Sequence, residues 1–138
     1  DEQGSVNVSR LGGVTVGPGG FIDIAQNAKK VVFCGTLAAK GVKLQTGDGQ
    51  MRVLQQGAVK KLVQRVDQIT FSGPQGLVRG QEVLYLTERA SFRLTLRGIE
   101  VFEIAPGIDL QRDVLDQMEF APLVATDLKV MDAAHFRA

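Results

Sequence analysis

Few residues in this sequence are typed and spaced for chemistry, and the clearest group is Gly17-Pro18-Gly19-Gly20. It follows the β-branched run Val14-Thr15-Val16 and precedes a segment with helical periodicity. Such a turn brings bare backbone N–H groups to one place, where an anion or a polarised carbonyl can be held. The spacing alone leaves a second reading open, a tight turn that allows close packing. Position 22 is Ile, so the G-x-G-x-x-G dinucleotide pattern fails, and no glycine run ends in Gly-Lys-Ser/Thr. Lys40 and Lys43 follow the next apolar run. They read either as solvated surface or as cations for a ligand phosphate.

Other chemistries find little support. One cysteine, Cys34, and one histidine, His135, stand about a hundred residues apart without companions, so no metal-ligand spacing exists. A single thiol also rules out an internal disulfide. Cys34 lies in an apolar run and reads as a small buried hydrophobe. Glu82, Glu88 and Glu103 read as solvated sheet-face residues or cross-strand ion pairs. No Ser-His-Asp or Cys-His set can be assembled.

The elements that must position the loop follow from periodicity. Val6-Asn7-Val8-Ser9 alternates like a half-buried strand, and Val14 to Val16 forms another. Phe21, Ile24, Ala25 and Ala28 mark one face of a helix closed by Lys29 and Lys30. Val31 to Cys34 reads as a strand covered on both faces. A hairpin turns at Gly47-Asp48-Gly49, with Met51 and Val53 on one face. Lys60 to Val66 suits a helix or a strand, Ile69 to Phe71 a strand, and Ser72 to Gly76 a loop. Glu82 to Thr87 is a strand. A second hairpin turns at Gly98, and Arg93 or Arg97 can pair across it with Glu100 or Glu103. Asp109 caps a helix carrying Leu110, Val114, Leu115 and Met118, which Pro122 prevents from continuing. A short extended segment near Leu128 and a terminal turn at His135 end the chain.

The chain has 138 residues, 44% hydrophobic and 22% charged, enough for one domain with a core. A net charge of +1 and one Tyr without Trp argue against nucleic acid. No apolar run has the roughly 20 residues of a membrane span, and no signal-peptide pattern is present. The expectation is a cytoplasmic protein without membrane partners. The turn Asp1-Glu2-Gln3-Gly4 as first element, without Met, reads as an N-terminally truncated fragment.

Several segments in order carry a further signal. Gly17-Pro18-Gly19-Gly20-Phe21-Ile22-Asp23-Ile24 resembles the GxGGxxD loop of family I coenzyme A-transferases. Val6 to Arg10, Gln26 to Thr36, Gln68 to Gly73, Gly80 to Ala90 and Glu103 to Leu110 agree in the same order. Together they are similar to the C-terminal part of the acetate/propionate type, across nearly all 138 residues.

The resemblance implies an α/β fold: a strand-rich, open mixed sheet with helices on both sides. Residues 1–138 would be the C-terminal part of the β-subunit-like, C-terminal domain. It implies transfer of CoA from a short-chain acyl-CoA to a free carboxylate through a glutamyl-CoA thioester. The family nucleophile lies in a Glu-Ser/Asn-Gly type motif upstream of the loop. Glu2 here is followed by Gln3-Gly4, so the nucleophile is absent and this chain alone is expected to be inactive. Gly17 is implied as the oxyanion or CoA contact, with Gly19 and Gly20 giving close approach and Lys40 and Lys43 near the CoA. Coenzyme A enters as substrate, with no permanently bound cofactor, and the enzyme is expected to be a homo-oligomer. The competing expectation is a non-catalytic oligomerisation module that pairs through an exposed sheet edge.

Overall fold

The computed structural model describes residues 1–137. In chain order its elements are β1 (Arg10–Leu11), β2 (Val14–Thr15), α1 (Phe21–Asn27), β3 (Lys30–Cys34), β4 (Ala38–Ala39), β5 (Lys43–Gly47), β6 (Gln50–Gln55) and β7 (Val59–Lys60). Then come α2 (Gly73–Val78), β8 (Glu82–Leu86), β9 (Ala90–Thr95), β10 (Gly98–Ile104) and β11 (Leu123–Val130). A wide turn of π-helical geometry, Leu110–Val114, runs into a tight one, Leu115–Gln117, and a last turn spans Ala133–Phe136.

Five strands form one mixed sheet in the order β11-β10-β9-β8-β3. The outer pairs β3–β8 and β10–β11 are parallel, and β9 runs antiparallel to both of its neighbours, β8 and β10. The strand-rich α/β fold and its mixed sheet agree with the sequence reading. The β9–β10 hairpin turns at Gly98 as periodicity requires. Arg93 and Glu100 face each other in register and form the anticipated ion pair.

The apolar side chains of alternate positions meet on one face. Val83, Phe92 and Val101 are almost fully buried, each burial stabilising the fold by about 1.5–3 kcal/mol. Phe33 lies at the centre of an aromatic group. Its ring stacks on Tyr85 at 5.5 Å and meets Phe71 edge-on at 5.2 Å. The Tyr85 hydroxyl donates to the Gly4 carbonyl, and burial pushes its pKa up. The β5–β6 hairpin places Met51 inward and leaves Arg52 and Leu54 in solvent.

Several expectations change. β3 is an edge strand paired only with β8, and separately one of its faces is open: Val32 is exposed and so is Cys34. Its apolar composition gave no sign that one cover was lacking. Val6 to Ser9 and Ile69 to Phe71 are not strands; they share one bridge, Val6 to Phe71. Arg10 and Leu11 pair with β2.

Ser72 to Gly76 starts a helix rather than a loop. The Ser72 hydroxyl accepts from Gln75 N at 3.4 Å, and Pro74 sits in the first turn, where its missing N–H costs nothing. The chain between residues 61 and 69 is irregular. Lys29 and Lys30 do not close α1; Lys30 begins β3 and pairs with Glu82. The predicted helix after Asp109 is the wide-then-tight turn, although the Asp109 cap holds, accepting from Arg112 N at 2.7 Å. Its Val114 and Met118 still reach the core. No helix among the described residues is long and apolar enough to cross a membrane.

Candidate functional site

The glycine loop has a rigid base. Asn7 Oδ1 accepts from Ser9 N and Arg10 N, both at 3.1 Å. Thr70 Oγ1 accepts from Val8 N at 3.1 Å and lies 2.6 Å from Ser9 Oγ. The Ser9 carbonyl then receives Val16 N at 2.9 Å and Gly17 N at 3.3 Å. Gly17 and Gly19 adopt φ +81 and +54, left-handed conformations that disfavour a side chain. Nothing lies within 4 Å of where a β-carbon on either would stand, so the loop is open to close approach from outside.

The three predicted glycines therefore share one exposed turn, and the structure distinguishes their donors. Gly17 N–H is turned toward Ser9, Pro18 has none, and Phe21 N bonds the Pro18 carbonyl at 3.1 Å. Among the described residues the amides of Gly19 and Gly20 have no backbone acceptor.

Helix α1 ties this turn to the sheet. Phe21, its first residue, stacks on Phe33 at 5.7 Å between centroids. At its other end Gln81 Nε2 donates to the carbonyls of Ala25 at 2.9 Å and Ala28 at 2.6 Å, and Arg79 Nη1 reaches Gln26 O at 3.3 Å. The predicted stripe is only partly buried: Ala25 faces inward, whereas Ile24 is 74% exposed. Leu11, Val14 and Val16 are also exposed, so the arm from β1 to α1 carries an uncovered apolar surface.

Because Phe33 lies near the end of β3, the loop sits at the carboxyl end of the parallel β3–β8 pair. Ligands of open α/β sheets gather at that end. Gly35 N bonds Leu86 O at 3.0 Å, joining the two strand ends. Glu88, read from sequence as solvated or cross-strand, is half-buried here. Its Oε2 accepts from Leu37 N and its Oε1 from Arg89 Nε, both at 2.8 Å.

Arg89 is fully buried. Its Nη1 donates to Gln56 Oε1 at 2.7 Å and to Asp113 O at 3.0 Å, while Nη2 has no partner among the described residues. Asp113 is held well below the usual carboxylate range, first by the Arg112 guanidinium, which donates at 2.9 and 2.8 Å.

Lys40 and Lys43 lie on either side of the turn from β4 into β5. Lys40 occupies a turn at φ +59 and its carbonyl accepts from Ala58 N at 2.9 Å. Lys43 opens β5 opposite Gln55. Both are exposed, and no hydrogen bond or ion pair among the described residues joins them to the glycine loop. Sequence reasoning passed over Lys61, whose Nζ lies 3.5 Å from Thr36 Oγ1 on the rim. The Gly35-Thr36 pair directly after an apolar strand was the available signal.

The comparisons with known proteins bear on the whole chain. No protein-family model matches it. The acetate CoA-transferase YdiF of Escherichia coli O157:H7 is 47% identical over 136 residues, 99% of this chain and 26% of that protein. The caffeate CoA-transferase of Acetobacterium woodii is 48% identical over 141 residues, 99% of this chain and 27% of that protein. A crystal structure of the E. coli acyl-CoA transferase YdiF as a thioester complex with CoA has a TM-score of 0.96 at 47% identity. The match covers 99% of this chain and 27% of that one. The resemblance read from the sequence is thus upheld along almost the entire chain, and a C-terminal fragment of a CoA-transferase fits these matches. The chain spans about a quarter of the length of these relatives.

Proposed function

We propose that this chain is a segment of a coenzyme A-transferase, residues 1–138 forming the C-terminal part of its β-subunit-like domain. The whole enzyme moves CoA from a short-chain acyl-CoA to a free carboxylate of the acetate or propionate class. The observation that carries this is the 47% identity over 99% of the chain, joined to a TM-score of 0.96 against an acyl-CoA transferase in thioester complex with CoA.

The chemistry needs a carboxylate nucleophile, which on this reading is a glutamate outside the chain. Its attack on the acyl-CoA carbonyl breaks the C–S bond, leaving a mixed anhydride and the CoA thiolate. The thiolate then adds to the glutamyl carbonyl, the acyl group leaves as carboxylate, and a glutamyl-CoA thioester remains. The acceptor carboxylate reverses these steps and regenerates the glutamate. Each addition places negative charge on a carbonyl oxygen, and aligned backbone N–H groups stabilise that charge.

The glycine loop supplies such donors. The unpartnered amides of Gly19 and Gly20 suit the role directly. Gly17 shapes the turn and contributes its own amide when the weak bond to Ser9 opens. Lys40 and Lys43 serve CoA more distantly. The exposed apolar arm of Leu11, Val14, Val16 and Ile24 fits a surface covered by the remainder of the enzyme. The reading carries with it a cytoplasmic homo-oligomer with CoA as substrate rather than resident cofactor.

The test is a transfer assay. The full-length protein, given acetyl-CoA and propionate, should form propionyl-CoA and acetate in equal amounts, and replacing the upstream glutamate by Ala should abolish it. The isolated chain should be inactive. Undiminished transfer in the Ala variant would sink the mechanism.

A further inference from the structure

At the carboxyl end of β3 a lysine stands over a glycine and, among the described residues, pairs with no carboxylate. Lys61 is exposed, and its Nζ lies 2.9 Å from the point a β-carbon on Gly35 would occupy. The bare glycine is what lets the ammonium lie against the main chain beside the Thr36 hydroxyl. The neighbouring Lys60 is differently engaged, donating to the carbonyls of Asp116 at 2.9 Å and Met118 at 3.0 Å. Lys61 enters no ion pair among the described residues.

The rim beneath is held on both sides of Thr36. Gly35 N is bonded to Leu86 O, and Leu37 N to Glu88 Oε2, whose other oxygen is fixed by the buried Arg89. An ammonium without an ion pair among the described residues, a hydroxyl on an anchored main chain and a bare glycine thus share the sheet end that carries the glycine loop.

Resting on the coenzyme A reading above, we infer that Lys61 and Thr36 hold a phosphate group of coenzyme A. An ammonium is a compact charge with three rotatable donors, which suits phosphate oxygens; planar carboxylates are matched better by a guanidinium fork. The 3′-phosphate and the pyrophosphate share this chemistry.

The test is calorimetric titration of the full-length protein with CoA and with dephospho-CoA, which lacks the 3′-phosphate. Lys61 is a surface residue, so Lys61→Met should fold. It should bind CoA roughly 10-fold more weakly or worse, the scale of a lost charge-assisted hydrogen bond. Lys61→Arg should restore most of that affinity, and the KM for the carboxylate substrate should not move. Loss confined to CoA assigns the 3′-phosphate; equal loss for dephospho-CoA assigns the pyrophosphate. CoA affinity equal to wild type in Lys61→Met, or a rise only in the carboxylate KM, overturns the inference and leaves the coenzyme A reading standing. A wild-type protein that binds no CoA overturns both.

Discussion

Phe21 stacks on Phe33 with 5.7 Å between ring centroids, and that contact joins the first residue after the glycine loop to the sheet. Phe33 in turn meets Phe71 and Tyr85, so the helix end of the loop is tied to the core through this ring. Phe33→Ala removes all three contacts and should cost about 3–5 kcal/mol. Phe21→Ala removes one and should cost about 1–2 kcal/mol. Chemical denaturation of the two variants measures the difference; equal losses would deny Phe33 its central place.

Gln81 holds the far end of the same helix through two short bonds to its last carbonyls. Helix α1 has no side-chain N-cap and no basic residue in its last turn, so little else completes its ends. Gln81→Ala should cost about 1 kcal/mol of global stability. Its larger effect should be faster amide exchange across residues 19–28 than elsewhere. Uniform exchange rates would assign Gln81 no special hold on the loop.

Glu88 and Arg89 should respond unequally to substitution. Glu88→Ala strands a guanidinium with no exposure to solvent, and breaking such a pair costs about 3–5 kcal/mol. Arg89→Met removes the buried charge along with the unpartnered Nη2 and leaves a carboxylate that still accepts from Leu37. Thermal unfolding should therefore find Arg89→Met the milder change. The opposite order would mean that the guanidinium contributes more than its burial takes away.

Asp113 makes stability depend on acid. Its folded pKa is depressed, chiefly by the hydrogen bonds from Arg112. The folded state thus binds its proton less readily than the unfolded chain does. This contribution is fully present above the ordinary carboxylate value of about 3.9 and fades as pH falls through the lower, folded value. Arg112→Ala should raise the pH of acid unfolding, followed by the emission of the one tyrosine, Tyr85. An unchanged midpoint would remove Arg112 as the cause.

The two hairpins and the Arg93–Glu100 pair were legible because alternation and a glycine turn specify register near the turn, although each hairpin carries a register shift farther along, at Val101/Glu103 and at Lys43/Leu44. The helix after the glycine loop was legible in its start, but it ends at Asn27 short of Lys29 and Lys30, and Ile24 of its stripe stays exposed. Cys34 was misjudged because a run of apolar residues does not say whether one face or two will be covered. Helix α2 was missed because Ser-Gly-Pro-Gln-Gly carries turn chemistry, and the same Ser and Pro also open helices. Lys61 escaped notice because its place beside Gly35 depends on the pairing of β4 with β7, in segments of two residues each that carry no periodic signal.

Intact-mass measurement of the full-length protein after brief exposure to acyl-CoA tests the central claim most directly. A coenzyme A-transferase should gain the mass of one CoA less one water, as a thioester that added carboxylate discharges. The added mass should map to a glutamate outside residues 1–138. No added mass, or an adduct on Cys34 released by thiol reductants, would contradict it.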